Sequence, residues 1–147
     1  MVSIIPSYVY TLFAALVVGV IIVTSCSYAT LNVRNEAETQ QLNNINEYVA
    51  TQSLTLITDA AVGNQNLTQF LNLPTQVGNQ VYWICIENNL GGTFVCSGFG
   101  STACLSQSGV AIPAKADASG IFVSTFGRPC LECTYANGTV SLTLTSD

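Results

Sequence analysis

The first 33 residues carry no charged side chain, and an uninterrupted apolar run lies within them. From Tyr8 to Tyr28 the chain reads YVYTLFAALVVGVIIVTSCSY, and the first charged residue is Arg34. About 20 apolar residues in a helix are enough to cross a bilayer. Pro6 is compatible with the first turn of a helix, where its missing N–H has no helical partner. The sequence therefore predicts a long apolar helix that begins next to Pro6.

The apolar side chains of this run are spread around the whole helix circumference. A helix that is apolar on all sides must be buried in lipid or among other apolar helices. Small residues within it (Ala14, Ala15, Gly19, Ser25 and Ala29) would allow a second helix to approach closely. The residues expected to form the helix-to-helix contact are Leu12, Phe13, Leu16, Val17, Gly19, Val20, Ile21 and Val23.

The helix is expected to continue past Arg34, because no proline or glycine occurs before Gly63. Its apolar positions thin to one stripe at helical spacing: Leu42, Ile45, Val49 and Leu56, with Tyr48 and Ile57 alongside. Such a stripe packs against a partner surface. The polar residues Asn43, Asn44, Asn46, Glu47 and Thr51 are expected mostly elsewhere around the helix, which should end between Ala60 and Gly63.

Strand patterns follow. Predicted strands lie around Phe70 and at 80–87, 93–97, 110–113 and 120–126, because these stretches are rich in β-branched and aromatic residues and are separated by turn residues. Asn137-Gly138 predicts a two-residue hairpin between 131–136 and 139–145. Pairing Ala136 with Thr139 places Tyr135 opposite Val140, Cys133 opposite Leu142 and Leu131 opposite Leu144, which collects the apolar side chains on one face.

The predicted fold is therefore α+β: a hydrophobic and amphipathic N-terminal helix at residues 1–62, and a small antiparallel β head of about six strands at 63–147. The helix would lie in the membrane before assembly and in a filament core afterwards. The head would be extracellular.

Composition excludes several kinds of function. The net charge is −5 with only three Lys and Arg residues, too few to bind a phosphate backbone, so no nucleic-acid partner is expected. The chain has no histidine, which removes the commonest general base and metal ligand. We predict neither an enzyme nor a bound cofactor or metal.

Six cysteines include Cys26 in the apolar helix and five in the head, namely Cys85, Cys96, Cys104, Cys130 and Cys133. In an oxidising exterior such cysteines usually form disulfides. A turn at residues 90–91 would place Cys85 opposite Cys96, whereas Cys104 would pair with Cys130 or Cys133; the connectivity stays open. Cys130 and Cys133 form a CxxC motif, which also suggests a redox pair or a zinc site. A redox pair is disfavoured because the motif runs into a strand and not into a helix. A zinc site is disfavoured because the head has no second closely spaced pair of cysteines.

Two N-glycosylation sequons, at Asn66 and Asn137, are consistent with an exported head. An apolar helix that continues as an amphipathic helix and meets a small β head resembles type IV pilin-like proteins, and the segment AETQQLNNINEYVATQSLTLITDA followed by FLNLP is similar to archaeal pilins and archaellins. Two features depart from the family: no basic leader ending in glycine precedes the apolar run, and Ile5 stands where bacterial pilins have glutamate.

The resemblance implies an extracellular filament subunit. Such a subunit polymerises as a homo-oligomer through its N-terminal helix, with roles in adhesion or surface attachment and with surface or cell ligands as further partners. The alternative is a single-pass membrane-anchored surface protein, such as a minor pilin, an adhesin or a component similar to an archaellum stator.

Overall fold

A single helix, α1, spans Ile4–Gly63. The protein is described from a computed structural model that covers residues 4–89, 92–101 and 109–146, with side chains from residue 8 onward. The chain divides into two compact units, Met1–Ala37 and Glu38–Asp147, which are described separately. The first contains the apolar part of α1, and the second contains the rest of α1 together with all the strands.

The helix ends where the sequence predicts, although the residue with the left-handed backbone is Asn64 rather than Gly63. Asn64 has a φ of 49°, and the Gln65 amide donates to the Ala60 carbonyl at 3.4 Å. A left-handed residue followed by a hydrogen bond to the carbonyl five residues back is a common helix C-cap, because that carbonyl has no partner within the helix. Asparagine tolerates the left-handed region better than most side chains.

The described residues form seven strands: β1 (Leu67–Phe70), β2 (Tyr82–Asn89), β3 (Gly92–Phe99), β4 (Val110–Ile112), β5 (Asp117–Val123), β6 (Pro129–Ala136) and β7 (Thr139–Ser146). They make one sheet in the order β1-β6-β7-β5-β2-β3-β4. The α+β arrangement of a long apolar N-terminal helix and a mainly antiparallel sheet is thereby confirmed. The strand predicted at 120–126 begins three residues earlier and ends at Val123.

The predicted register of the final hairpin is confirmed. Ala136 pairs with Thr139, Tyr135 with Val140, and Leu131 with Leu144. Asn137 and Gly138 both have positive φ, of 53° and 80°, as a type I′ turn requires.

One pairing departs from an all-antiparallel sheet. Strand β7 returns along β6 and lies between β6 and β5, where it pairs with β5 in parallel. The two strands approach closely at Gly120, which has a φ of 135°, and a Cβ there would lie 2.2 Å from the Leu144 carbonyl oxygen. Glycine is required at this position because any side chain would strike the neighbouring backbone.

The core of the second unit lies between the inner face of the sheet and one face of α1. The helix contributes Leu42, Ile45, Val49, Ala50, Leu56, Ile57 and Ala60, and the sheet contributes residues such as Tyr82, Ile84, Leu131 and Leu142. The Tyr82 hydroxyl donates to the Pro74 carbonyl, and burial raises the pKa of Tyr82 to about 12. A fully buried tyrosine keeps its hydroxyl bonded in this way.

The polar residues Asn43, Asn44, Glu47 and Thr51 are exposed, as expected for most of that set. Asn46 is the exception and is only 4% exposed, whereas Tyr48, alongside the stripe, is 38% exposed. The helix is wrapped more widely than the apolar stripe suggests, because small and polar residues such as Ser53 also face the sheet. Neither Asn46 Oδ1 nor Ser53 Oγ has a hydrogen-bond partner in the described part of the chain.

A buried carboxylate fixes the loop between β1 and β2. Glu38 is 7% exposed and accepts a hydrogen bond from Gln80 Nε2 at 3.2 Å. Gly78 has a φ of 61°, and a Cβ there would lie 2.2 Å from Glu38 Oε1. The loop therefore closes over the carboxylate, and a glycine at position 78 makes that approach possible.

Candidate functional site

The apolar surface of α1 in the first unit is the most unusual surface of the protein. The predicted contact residues Leu12, Phe13, Leu16, Val17, Val20, Ile21 and Val23 are all exposed, from 42% at Val17 to 66% at Val23. Val20, Ile21, Ile22 and Val23 are consecutive and each is more than half exposed. Because successive helix residues are rotated by about 100°, these four alone cover the whole circumference. The helix is long and apolar enough to span a membrane.

The serine and threonine hydroxyls of this segment donate hydrogen bonds to backbone carbonyls of α1 itself. Thr24 donates to the Val20 carbonyl at 2.8 Å, and Ser25 donates to the Ile21 carbonyl at 2.7 Å. Ser27 and Thr30 make the same bond to the carbonyls four residues before them. Such bonds satisfy a hydroxyl without water, so these residues are compatible with apolar surroundings.

Gly19 lies within this apolar surface and has nothing within 4 Å of the position that a Cβ would take. A side chain at position 19 is therefore sterically free within the single chain. Any effect of a larger residue there on assembly must come from contact with another molecule.

The predicted opposition of Cys85 and Cys96 is present in the β2–β3 register. Both side chains are buried with Trp83 in a small cluster separate from the main core. Trp83 packs on Gly98, where a Cβ would lie 2.7 Å from its ring. Burial, followed by the negative charge of Glu87 and the neighbouring Cys96, raises the pKa of the Cys85 thiol to about 11.

No disulfide joins Cys85 to Cys96 in the structure, and Cys133 is a free thiol. The pairing of Cys85 with Cys96 is therefore supported by register alone and stays a prediction. Cys104, the expected partner of Cys130 or Cys133, lies outside the described residues.

Cys130 and Cys133 lie on one continuous strand and face opposite sides of the sheet. Cys133 pairs with Leu142 and belongs to the main core, where burial raises the pKa of its thiol. A disulfide between the two would require the strand to turn, and a raised pKa disfavours the reactive thiolate. Among the described residues, no cluster of three His, Cys, Asp or Glu side chains is arranged to hold a metal ion.

Both sequons lie at the same end of the sheet. Asn66 is exposed, and its Oδ1 accepts a hydrogen bond from the Tyr135 amide at 3.0 Å. Asn137 is exposed in the β6–β7 turn, two residues after Tyr135 in the chain. Both side chains are therefore accessible for the glycosylation that the sequence predicts.

A polar network at this end of the sheet has no signal in the sequence. Thr93 Oγ1 donates to Asn88 Oδ1 at 2.9 Å, and Asn88 Nδ2 donates to Asp117 Oδ1 at 2.8 Å. The three residues are brought together by the pairing of β2 with β3 and β5. Their separation along the chain is too irregular for a spacing pattern to indicate the network.

No protein-family model, curated protein or solved structure matches the chain. The resemblance to pilins therefore rests on the architecture and the residues described above.

Proposed function

We propose that the protein is a structural subunit of an extracellular type IV pilus-like filament that polymerises through α1 and serves in adhesion or surface attachment. The observation that carries the proposal is the apolar surface around residues 8–33 of α1, which is exposed on every side. Before assembly this segment lies in the membrane, and after assembly it lies among the same segments of neighbouring subunits.

Full burial of a Val, Leu, Ile or Phe side chain contributes roughly 1.5–3 kcal/mol. More than ten such side chains in the segment are at least 40% exposed, so the free energy available from burying them is at least of the order of a typical domain stability of about 5–15 kcal/mol. A subunit with this surface is stable only when lipid or other subunits cover it.

The arrangement also favours an open polymer over a closed pair. A surface that is apolar all round offers several equivalent faces to neighbours, whereas a dimer seam needs one stripe. Contacts between different faces of identical subunits produce a helical filament when the rotation from one subunit to the next does not close a ring. The small side chains and Gly19 would let the helices approach closely in it.

A second candidate function is a single-pass membrane-anchored surface protein that stays in the bilayer, such as a minor pilin, an adhesin or an archaellum stator-like component. The length and composition of α1 favour it equally, since one such helix is sufficient for anchoring. The two candidates differ in whether the helix contacts other copies.

The test is electron cryo-microscopy of surface material sheared from the producing cells, combined with mass spectrometry of the N-terminus of the chain. We expect filaments whose core is formed by α1. Recovery of the chain only from the detergent-solubilised membrane fraction, with no filaments, would replace the filament proposal with the anchored protein.

A matched pair of variants makes the test specific to helix contact. Gly19→Leu should reduce filament yield strongly, because the leucine would occupy the space of a neighbouring helix, whereas Gly19→Ala should be tolerated. Since the single chain has open space at this position, both variants should keep the fold of the head. Equal filament yields from the two variants would contradict close packing at Gly19.

A further inference from the structure

An open cavity of about 860 Å³ lies at the end of the head where several elements finish or begin. Its walls come from the last turn of α1, the end of β2, the start of β3, the segment that leads into β5, and the β6–β7 hairpin. The residues that line it include Ala61, Asn88, Lys115, Asp117, Tyr135 and Thr139. The volume falls within the roughly 300–1,000 Å³ of small-molecule sites.

The polar side chains Asn88 and Asp117 of the cavity are fixed by hydrogen bonds to each other and to residues next to the cavity. The Asn88 amide is fixed on both sides, because its oxygen accepts from Thr93 and its nitrogen donates to Asp117 Oδ1 and to the Ala116 carbonyl at 3.2 Å. Thr93 is 2% exposed, so the network is anchored in the core. One oxygen of the Asp117 carboxylate is used in this way, and a carboxylate has a second oxygen that can accept a hydrogen bond from a ligand hydroxyl.

The lining of the cavity also includes an aromatic ring, that of Tyr135. Tyr135 is half-buried on β6, and its backbone is fixed by the bond from its amide to Asn66 Oδ1. The Tyr135 side chain carries a hydroxyl as well as an apolar face. Ala61, Ala114 and Ala116 add small apolar surfaces to the lining.

The charges lining the cavity nearly cancel. Among the described residues that line it, Lys115 is the one cation and Asp117 the one carboxylate. A phosphate-bearing ligand needs more positive charge or a helix N-terminus, whereas the helix end at this cavity is a C-terminus. A purely apolar ligand would make no hydrogen bond with Asn88, Lys115 or Asp117, although these polar side chains line the cavity.

From this juxtaposition of a core-anchored carboxylate–amide pair, a tyrosine and small apolar side chains, we propose that the cavity binds a saccharide. A sugar ring has hydroxyls that both donate and accept hydrogen bonds, and C–H faces that pack on an aromatic ring. The proposal is independent of filament assembly, because all the lining residues belong to the second unit.

The saccharide has two possible sources. One is a free or surface-borne sugar, and the other is a glycan on the chain itself, since Asn137 is in the turn next to the lining residue Thr139. Both sources present the same chemistry to the cavity, and the experiment distinguishes them.

The experiment uses the full chain, produced in a host without N-glycosylation and purified in a detergent that has no sugar headgroup, such as lauryldimethylamine oxide. The probes are the methyl glycosides of glucose, mannose and galactose, and N-acetylglucosamine, measured by saturation-transfer difference NMR and titration. We expect saturation transfer to at least one probe, with a dissociation constant in the millimolar range or tighter.

Two tryptophan variants test the place of binding. Ala61→Trp fills the cavity from an exposed helix position, and Val62→Trp places the same side chain on the adjacent residue, which is 80% exposed and does not line the cavity. The first should weaken binding at least tenfold and the second should leave it unchanged.

The source of the saccharide is tested with chain glycosylated in yeast, before and after treatment with peptide-N-glycosidase. Probe binding that appears only after the treatment identifies the chain's own glycan as the occupant, whereas equal binding identifies a free saccharide. The proposal is overturned if no probe binds any form of the chain, or if Ala61→Trp binds the probes as well as Val62→Trp does.

Discussion

A single lysine in the apolar part of α1 should abolish assembly while the same substitution in the head does not. Ile21 is 56% exposed in the single chain. Full burial of an isoleucine contributes about 1.5–3 kcal/mol, so the exposed part of Ile21 represents roughly 1–1.5 kcal/mol that assembly would gain. A lysine in apolar surroundings costs about 2.5–3.5 kcal/mol in addition.

The two terms together predict a loss of roughly 3.5–5 kcal/mol per subunit for Ile21→Lys. Since 1.4 kcal/mol corresponds to a factor of ten in an equilibrium constant, the association constant should fall roughly 300- to 4,000-fold. The matched control is Ile121→Lys on β5, because Ile121 is 52% exposed in the head and has nearly the same starting exposure.

The assay is the critical concentration for assembly. Full-length chain purified in detergent is dialysed to remove the detergent at a series of concentrations, and the chain remaining in the supernatant after ultracentrifugation is measured. Ile21→Lys should raise that concentration by at least two orders of magnitude, and negative-stain microscopy should show no filaments. Ile121→Lys should behave as the unsubstituted chain does. If Ile21→Lys assembles at the unsubstituted concentration, α1 is not the assembly surface.

Three further outcomes follow from the head. Gly120→Ala should lower the free energy of unfolding, measured by urea titration, by more than about 2–3 kcal/mol and by clearly more than Gly92→Ala does. Both glycines have positive φ, but only at Gly120 would a Cβ meet a neighbouring backbone. Equal losses from the two variants would refute the steric argument. Oxidation should join Cys85 to Cys96 and stabilise the head by about 2–3 kcal/mol, and a non-reducing peptide map that pairs either cysteine elsewhere would contradict this. The melting temperature of the reduced head should be constant from pH 6 to 9 and fall from pH 9 to 12. Burial raises the pKa of Cys85 to about 11 and that of Tyr82 to about 12, so the unfolded chain loses these protons at a lower pH than the folded chain and is favoured as the pH rises. A flat profile above pH 9 would argue against burial of these groups.

The sequence predicted the parts of the fold that depend on local pattern. The apolar helix and the final hairpin are examples, since a long charge-free run and Asn137-Gly138 each specify a conformation through neighbouring residues. The hairpin register followed because only one alignment collects Leu131, Cys133 and their partners on one face.

The parts that depend on distant pairing could not be predicted. Nothing near β7 indicates that it lies beside β5, because that choice depends on the packing of the whole sheet on α1. Burial of Asn46 likewise reflects how far the sheet wraps around the helix, and its polarity argues the other way. The cavity was missed for the same reason, since its lining residues come from five separate stretches of chain.

The place of β7 in the sheet has a consequence for how the head is made. Of the seven described strands it comes last in chain order, yet it lies in the middle of the sheet between β6 and β5. Before β7 pairs with its neighbours, the sheet consists of two half-sheets with no backbone hydrogen bonds between them. One half-sheet is β1 with β6, and the other is β5, β2, β3 and β4. A chain emerging from the ribosome or from an export channel therefore has its apolar helix available long before the head can close. If α1 enters a membrane as proposed, it can do so before the head has folded, and shortening the chain into β7 should leave the two half-sheets unjoined.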